Sequence, residues 1–263
     1  MSSTVGLNLG SRYRRGAVGY AAATVVVLIV WQLVSVLLKS PALPTVPSTA
    51  VALWRNAAAI GPQALASLGV IVGSIALGMI TGLPLGLLLG RLPMLDRFVS
   101  PIVFLLYPIP KVVFVPVLLV LLGLGNAPKV VLIALVIFFQ SVVSTRDAAR
   151  HVDKDFVDAM LALGMTKWQV IWYLVLPHTL PSVCTAVRIN IATAIAILFL
   201  AESIAGSSGL GYYIVQMWGR LDYPAMFAGI VALAVLGVAL YEAVGWVERR
   251  WLRWADSPSR AAQ

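Results

Sequence analysis

The run LASLGVIVGSIALGMITGLPLGLLLG, Leu65–Gly90, decides the fold. It contains no charged residue, and a helix needs about 20 such residues to cross a hydrocarbon layer of about 30 Å. Its glycines fall at Gly69 and Gly73, then at Gly78, Gly82, Gly86 and Gly90, each set stepping by four and so stacking on one helix face. Small residues at that spacing let two helix backbones come close inside a membrane. The run therefore reads as a packing helix and not as a direct solute contact.

Five more apolar runs flank it: Ala17–Leu38, Phe98–Leu122, Val130–Val143, Leu180–Ala201 and Tyr223–Val247. The chain has 263 residues, 60% of them hydrophobic and 11% charged, with a mean hydropathy of +0.95, too apolar for a soluble domain. The expected fold class is all-α: a polytopic membrane protein of about six transmembrane helices, because lipid leaves helices to satisfy their own backbones. Residues 1–16 read as a cytoplasmic N-terminal tail, 17–247 as one transmembrane domain and 248–263 as a cytoplasmic C-terminal tail. Arg12, Arg14 and Arg15 before Ala17 would suit a signal peptide. The apolar run is too long for one, no small-x-small site closes it, and further spans follow. Cys184, the single cysteine, lies in a span and forms no intrachain disulfide.

The charges sort by side. With the N-terminus inside, six crossings put thirteen of the 19 basic residues in the cytoplasm: Arg12, Arg14, Arg15, Arg91, Arg97, Arg146, Arg150, Lys154, Lys167, Arg249, Arg250, Arg253 and Arg260. Lys39, Arg55, Lys129 and Arg220 fall outside, and Lys111 and Arg188 within spans. Positive-inside bias thus accounts for a net charge of +9 without nucleic acid as a partner. The lipid bilayer is the partner that the composition demands.

Two connections are informative. The outer one, Ala205–Asp222, runs from Gly206, Gly209 and Gly211 into Tyr212, Tyr213 and Trp218 at the interface. The inner one, Ser144–Thr179, is the most polar part of the chain. From Asp155 it reads DFVDAMLALGMTKWQVIWYLVLPHTLP, apolar and polar residues alternating with helical period on both sides of Gly164. Phe156, Met160 and Leu163 share one face, as do Trp168, Ile171 and Val175, which predicts a short helix-turn-helix with an apolar ridge. Gly164 supplies the left-handed turn and Thr166 the following cap. Pro177 and Pro181 are expected to end the second piece and mark the return to the bilayer.

This segment resembles the motif of bacterial ABC-importer permeases: Glu-Ala-Ala, three residues, Gly, nine residues, then Ile-x-Leu-Pro. Asp158, Ala159 and Met160 take the first positions, Gly164 the glycine, Leu174 the isoleucine, and Leu176 and Pro177 the close, without a gap. Asp for Glu, Met for Ala and Leu for Ile are the departures. The likeness extends to Tyr107–Gly125 and to AESIAGSSGLGYYI at Ala201–Ile214, covering most of residues 65–250, and is nearest the taurine, alkanesulfonate and nitrate type. It implies that Asp158, Ala159, Met160, Gly164, Trp168 and Pro177 form a cytoplasmic coupling loop that docks an ATPase subunit. It further implies an extracytoplasmic substrate-binding protein, a second permease copy forming a homodimer, and the bacterial inner membrane. ATP and Mg would be bound by the partner, with no cofactor in this chain, and the cargo would be a small anionic or polar organic solute.

The chain carries no G-x-x-x-x-G-K-[ST] phosphate loop and no H-E-x-x-H or G-x-S-x-G signature, so neither a motor nor an intramembrane enzyme is expected here. The competing reading is an ATP-independent secondary transporter or channel, for which an inverted repeat between halves would be the sign. Ionisable groups at membrane depth cost about 2.5 to 3.5 kcal/mol by insertion scales, so each needs a partner or water. Lys111, beside Pro110 in the proline-rich third span with Pro101, Pro108 and Pro116, would draw an anion or pair with an acid. Arg188 would reach for the cytoplasmic surface. Glu202 would pair with Lys129 or Arg220, cap backbone donors or gate the outer connection. Asn190 would bond a neighbouring helix or solute. Pro110, Lys111, Asn190 and Glu202 are the candidate pathway residues.

Overall fold

A computed structural model describes residues 9–251; residues 1–8 and 252–263, with Arg253 and Arg260 and much of both predicted tails, lie outside the described residues. Every regular element in that range is helical. They are α1 (Leu9–Leu38), α2 (Val46–Arg55), α3 (Ala57–Arg91), α4 (Pro93–Leu106), a 3-10 turn (Lys111–Phe114), α5 (Val115–Leu122), α6 (Asn126–Arg150), α7 (Lys154–Ala162), α8 (Lys167–Val170), a π turn (Ile171–Val175), α9 (Leu176–Ala205), α10 (Leu210–Gly219) and α11 (Tyr223–Trp251).

Among the described residues four helices are long and apolar enough to cross a membrane: Ala57–Arg91, Asn126–Arg150, the continuous stretch Lys167–Ile204, and Tyr223–Arg250. Pro93–Leu106 and Lys111–Leu122, bent by 84° at their junction, make a fifth if counted as one span. The first apolar run is helical too, its apolar part being the shorter Ala22–Leu38. All six expected runs are therefore helical, the third broken at residues 107–110, while the count of six spans is approximate.

The stepped glycines of α3 do what small residues in a membrane are good for. A Cβ on Gly82 would come within 2.7 Å of the Phe138 carbonyl, one on Gly86 within 2.7 Å of Thr145, and one on Gly90 within 2.6 Å of Ala149. Gly78 meets Ile137 and Ala134 in the same way. Thus α3 lies along α6 with almost no side chain between their backbones, and dispersion over that contact stands in for the hydrophobic drive that lipid withholds. Gly69 and Gly73 touch nothing within 4 Å, so the packing reading holds for the lower four glycines only. The main core continues from this seam through Ile71, Leu132, Ile133, Ile137, Ile191, Ala194 and Leu198, drawn from α3, α6 and α9.

The structure corrects three expectations. The long helices on either side of the polar connection run past their expected ends: α6 continues to Arg150 beyond Val143, and the next long helix starts at Lys167 ahead of Leu180. Hydropathy marks where a helix leaves lipid, not where its hydrogen bonds stop. Pro177 and Pro181 end nothing, since Pro177 sits in the first turn of α9 and Pro181 inside it. The π turn just before, closed by the Leu176 N–H donating to the Ile171 carbonyl, widens the helix where a proline lacks its donor and crowds the preceding turn. The outer connection is not an open loop either, because α10 folds within it and buries Tyr213.

Candidate functional site

At one end of the bundle, α7 follows α6 across a short bend. The Asp153 side chain caps it, accepting from the Asp155 N–H at 3.0 Å. It ends in a Schellman turn: Gly164 takes φ +87°, its N–H donates to Leu161 at 3.0 Å, and the Met165 N–H reaches back to Met160 at 3.2 Å. Thr166 then caps α8 in a reciprocal box with Gln169. The expected glycine turn and threonine cap are both present, and they are local devices that need no contact from elsewhere.

The two predicted apolar faces are regrouped. Met160 turns inward with Val157 and Met165, against Leu87 of α3, Ala149 of α6, Val152, Val170 and Val175. Ile171 and Val175 are buried, whereas Trp168 is 61% exposed. The π turn begins only at Ile171 and leaves the Trp168–Ile171 spacing α-helical, so Trp168 simply lies off the face that Ile171 and Val175 bury. What faces outward is Phe156, Leu163 and Trp168, with Asp158 and Ala159 also exposed. No residue of α7 is buried. Gly164 is exposed and Pro177 half-buried, so the carried-over residues occupy one connection without all presenting the same surface.

Sequence reasoning missed the group just behind it. Asp96 of α4 accepts from Arg146 Nε at 2.5 Å and Nη2 at 3.3 Å, from Arg150, and from Ser100 Oγ at 2.5 Å. Arg146 also lies 5.1 Å from the Phe104 ring. This clasp ties the start of α4 to the end of α6, the helix that leads into α7. Asp96 was legible as the one acid in a long apolar stretch, but its partners, two arginines a helical turn apart and fifty residues on, were not.

At the opposite end, the glycine-rich segment before α10 is held by four side chains from three helices. The Gly209 N–H donates to Gln63 Oε1 at 2.7 Å, and the Leu210 N–H to Ser67 Oγ at 2.8 Å. The Gly211 N–H donates to Glu202 Oε2 at 2.8 Å, and Lys129 Nζ donates to the Ser208 carbonyl at 3.0 Å. Ser67 in turn donates to Glu202 at 2.7 Å. Glu202 and Lys129 are almost wholly buried, at 0% and 1% exposure. Gly209 has φ +110°, and a Cβ there would overlap the Glu202 carboxylate, so the glycine is required for backbone angle and for space. Of the roles weighed for Glu202, capping backbone donors is what the geometry displays, with Lys129 as an electrostatic neighbour.

The other candidate pathway residues lie apart from it. Lys111 is 8% exposed, and its ammonium donates to the carbonyls of Leu106, Tyr107 and Ile109 at 2.7, 2.7 and 2.9 Å. It thereby closes the end of α4 that the prolines leave open, and lies 4.4 Å from the Phe139 ring. Pro110 starts the 3-10 turn beside it. Asn190 donates to Ala186 of its own helix at 2.8 Å. Arg188 packs on the Tyr241 ring at 4.2 Å and stands 3.8 Å from Glu248 of α11.

Residues 82–253 match the family described as "Binding-protein-dependent transport system inner membrane component". The chain is 30% identical over 207 residues to a probable ABC transporter permease protein of Brucella abortus, covering 79% of this chain and 82% of that one. It is 29% identical to the taurine transport system permease protein of Escherichia coli, over 77% of this chain and 71% of that one. It is 28% identical to the riboflavin transport system permease protein of Chloroflexus aurantiacus, over 94% and 93%. Among solved structures, the MetNI methionine ABC transporter in an inward-facing conformation is similar in fold, with a TM-score of 0.60 at 24% identity over 72% of this chain and 92% of that one.

Proposed function

The chain belongs to the family of binding-protein-dependent transport system inner membrane components, and from that premise we propose that it translocates a small polar or anionic organic solute, of the sulfonate or pyrimidine kind, as the permease subunit of an ATP-driven ABC importer. The observation that carries the reading is α7, a capped helix with none of its residues buried and with Phe156, Leu163 and Trp168 uncovered around the Gly164 turn. An apolar ridge on a short helix calls for a groove in a partner, and the partner is an ATPase subunit that binds ATP and Mg. The basic residues collected at this end support a cytoplasmic position for it and for both termini, in a bacterial inner membrane. The opposite end then faces the binding protein, and a second copy of this chain completes the pathway as a homodimer.

The mechanism follows from what α7 is rooted on. Val157 and Met160 pack on the ends of α3 and α6 and on the long helix that begins at α8. A displacement of α7 by the closing ATPase pushes these helices together and not one alone. The Asp96 clasp carries the displacement of α6 to α4, and so to the 84° bend. Rigid helices moving about such a bend change which end of the pathway is open. This chain positions and moves; it makes no bonds in the solute.

The test is reconstitution. The purified chain hydrolyses no ATP alone, co-purifies with an ATPase subunit, and gives solute uptake in vesicles only with that subunit, ATP and the binding protein. Uptake driven by an ion gradient without any ATPase would sink the proposal.

A further inference from the structure

A cleft of about 580 Å³ opens between the start of α3 and α10, at the end of the bundle placed outside above. That volume is within the range of small-molecule sites. Asn56, Gln63, Tyr213, Gln216, Arg220 and Asp222 line it, with few apolar neighbours. The Tyr213 hydroxyl is the informative atom. Its residue is 4% exposed, yet the hydroxyl has no hydrogen-bond partner among the described residues. A buried phenol normally finds a partner, and an unpartnered one in a residue that lines a polar cleft points to a ligand atom as its missing partner.

The remaining groups define what that ligand is. Gln63 spends its carbonyl on the Gly209 N–H and retains its amide donors. Asp222 gives one oxygen to the Ala225 N–H at 3.1 Å and retains the other. The Arg220 guanidinium has no ion pair among the described residues, although Arg220 and Asp222 both act electrostatically on the Tyr213 hydroxyl. A plain anion would meet Asp222, and a plain cation would meet Arg220. A molecule with both charges meets an opposite charge at each.

We infer that this cleft is a receiving subsite for a small zwitterion, with its anionic end on Arg220 and Tyr213 and its cationic end on Asp222. The inference rests on the importer reading and narrows its solute class. It also separates the subsite from Lys111, whose ammonium is already spent on three carbonyls. Beneath the cleft, the Gln63 and Ser67 contacts to the α10 start couple its wall to Glu202, so occupancy bears on the most tightly held segment of that end.

The experiment uses the full chain with its co-purified ATPase in lipid nanodiscs and three probes on one two-carbon frame: taurine, ethanesulfonate and ethylamine. Binding is read by calorimetry or ligand-detected NMR. Taurine binds better than either singly charged probe, by about tenfold, the ratio of one charge-assisted contact. Arg220→Gln lowers taurine affinity about tenfold, and Asp222→Asn, which keeps the cap on Ala225, abolishes the preference of taurine over ethanesulfonate. Tyr213→Phe weakens taurine about threefold to tenfold. No binding by any probe, equal binding by all three, or indifference to Arg220→Gln and Asp222→Asn overturns the subsite. If ATP-dependent uptake persists in that case, only the subsite falls. Uptake without an ATPase removes the importer reading and leaves the binding result standing.

Discussion

The two ends of the bundle each carry a connection built around a left-handed glycine, and they use it differently. At Gly209, φ is +110° and the missing Cβ leaves room for a buried carboxylate, while Gln63, Ser67, Lys129 and Glu202 hold the surrounding backbone. At Gly164, φ is +87°, nothing lies within 4 Å of where a Cβ would stand, and the neighbouring helix has no buried residue. The first glycine is needed for space and angle together, the second for angle alone. The lesson is that one end is satisfied within the chain, whereas the other leaves its apolar groups for something else to cover.

The contrast can be broken by substitution, beginning where the effect is greatest. Gly209→Val adds left-handed strain and drives a side chain into the Glu202 carboxylate, so it should lose about 4 kcal/mol or more of stability and fail to give a monodisperse species in detergent. A well-folded Gly209→Val protein would end the claim that this segment is pinned. Glu202→Ala leaves the Gly211 N–H and Ser67 hydroxyl without their acceptor beside a buried lysine, and about 3 kcal/mol should be lost in denaturant unfolding. Glu202→Gln, which keeps an acceptor oxygen, should fall between the two proteins.

At the other end, stability and function should part company. Gly164→Pro cannot take φ +87° and breaks the Schellman turn, so uptake should be abolished while insertion stays intact and stability drops by only about 1 to 2 kcal/mol. Unchanged uptake would remove α7 as the lever. The smallest stability effect belongs to Phe156→Ser with Leu163→Ser, within about 0.5 kcal/mol because both side chains are already outside. Their effect should appear instead as an ATPase association about tenfold weaker, as expected for apolar anchors at an interface. A stability loss equal to that of Glu202→Ala would show that the two ends do not differ.

Much of this was legible in the sequence because the forces involved are periodic or local. The apolar runs gave the helices, the four-residue glycine steps gave a packing face on α3 without naming its partner α6, and Gly164 with Thr166 gave the turn and cap. What escaped reading depends on partners distant in sequence. Asp96 is one acid in an apolar stretch until Arg146 and Arg150 are brought to it fifty residues on. Lys111 looked available to a solute because its partners are carbonyls, which carry no letter in the sequence. Prolines were read as stops, and the π turn that accommodates Pro177 has no compositional mark of its own. The helix α2 and the helix inside the outer connection were hidden for a related reason: helices of ten residues lack the long apolar run that betrays a span.

That π turn has a consequence for how the two halves of the coupling segment are phased. A wide turn that holds one extra residue shifts by about 100° of α-helical phase which sequence positions share a face on its two sides. Were Ile171–Val175 to tighten into ordinary α-helix with no residue removed, Trp168 and the α7 surface would be carried about a quarter-turn around the axis of α9. The direction in which the chain offers its uncovered face is thus set by how one turn closes its hydrogen bonds, and deleting one residue there would keep that direction while removing the wide turn.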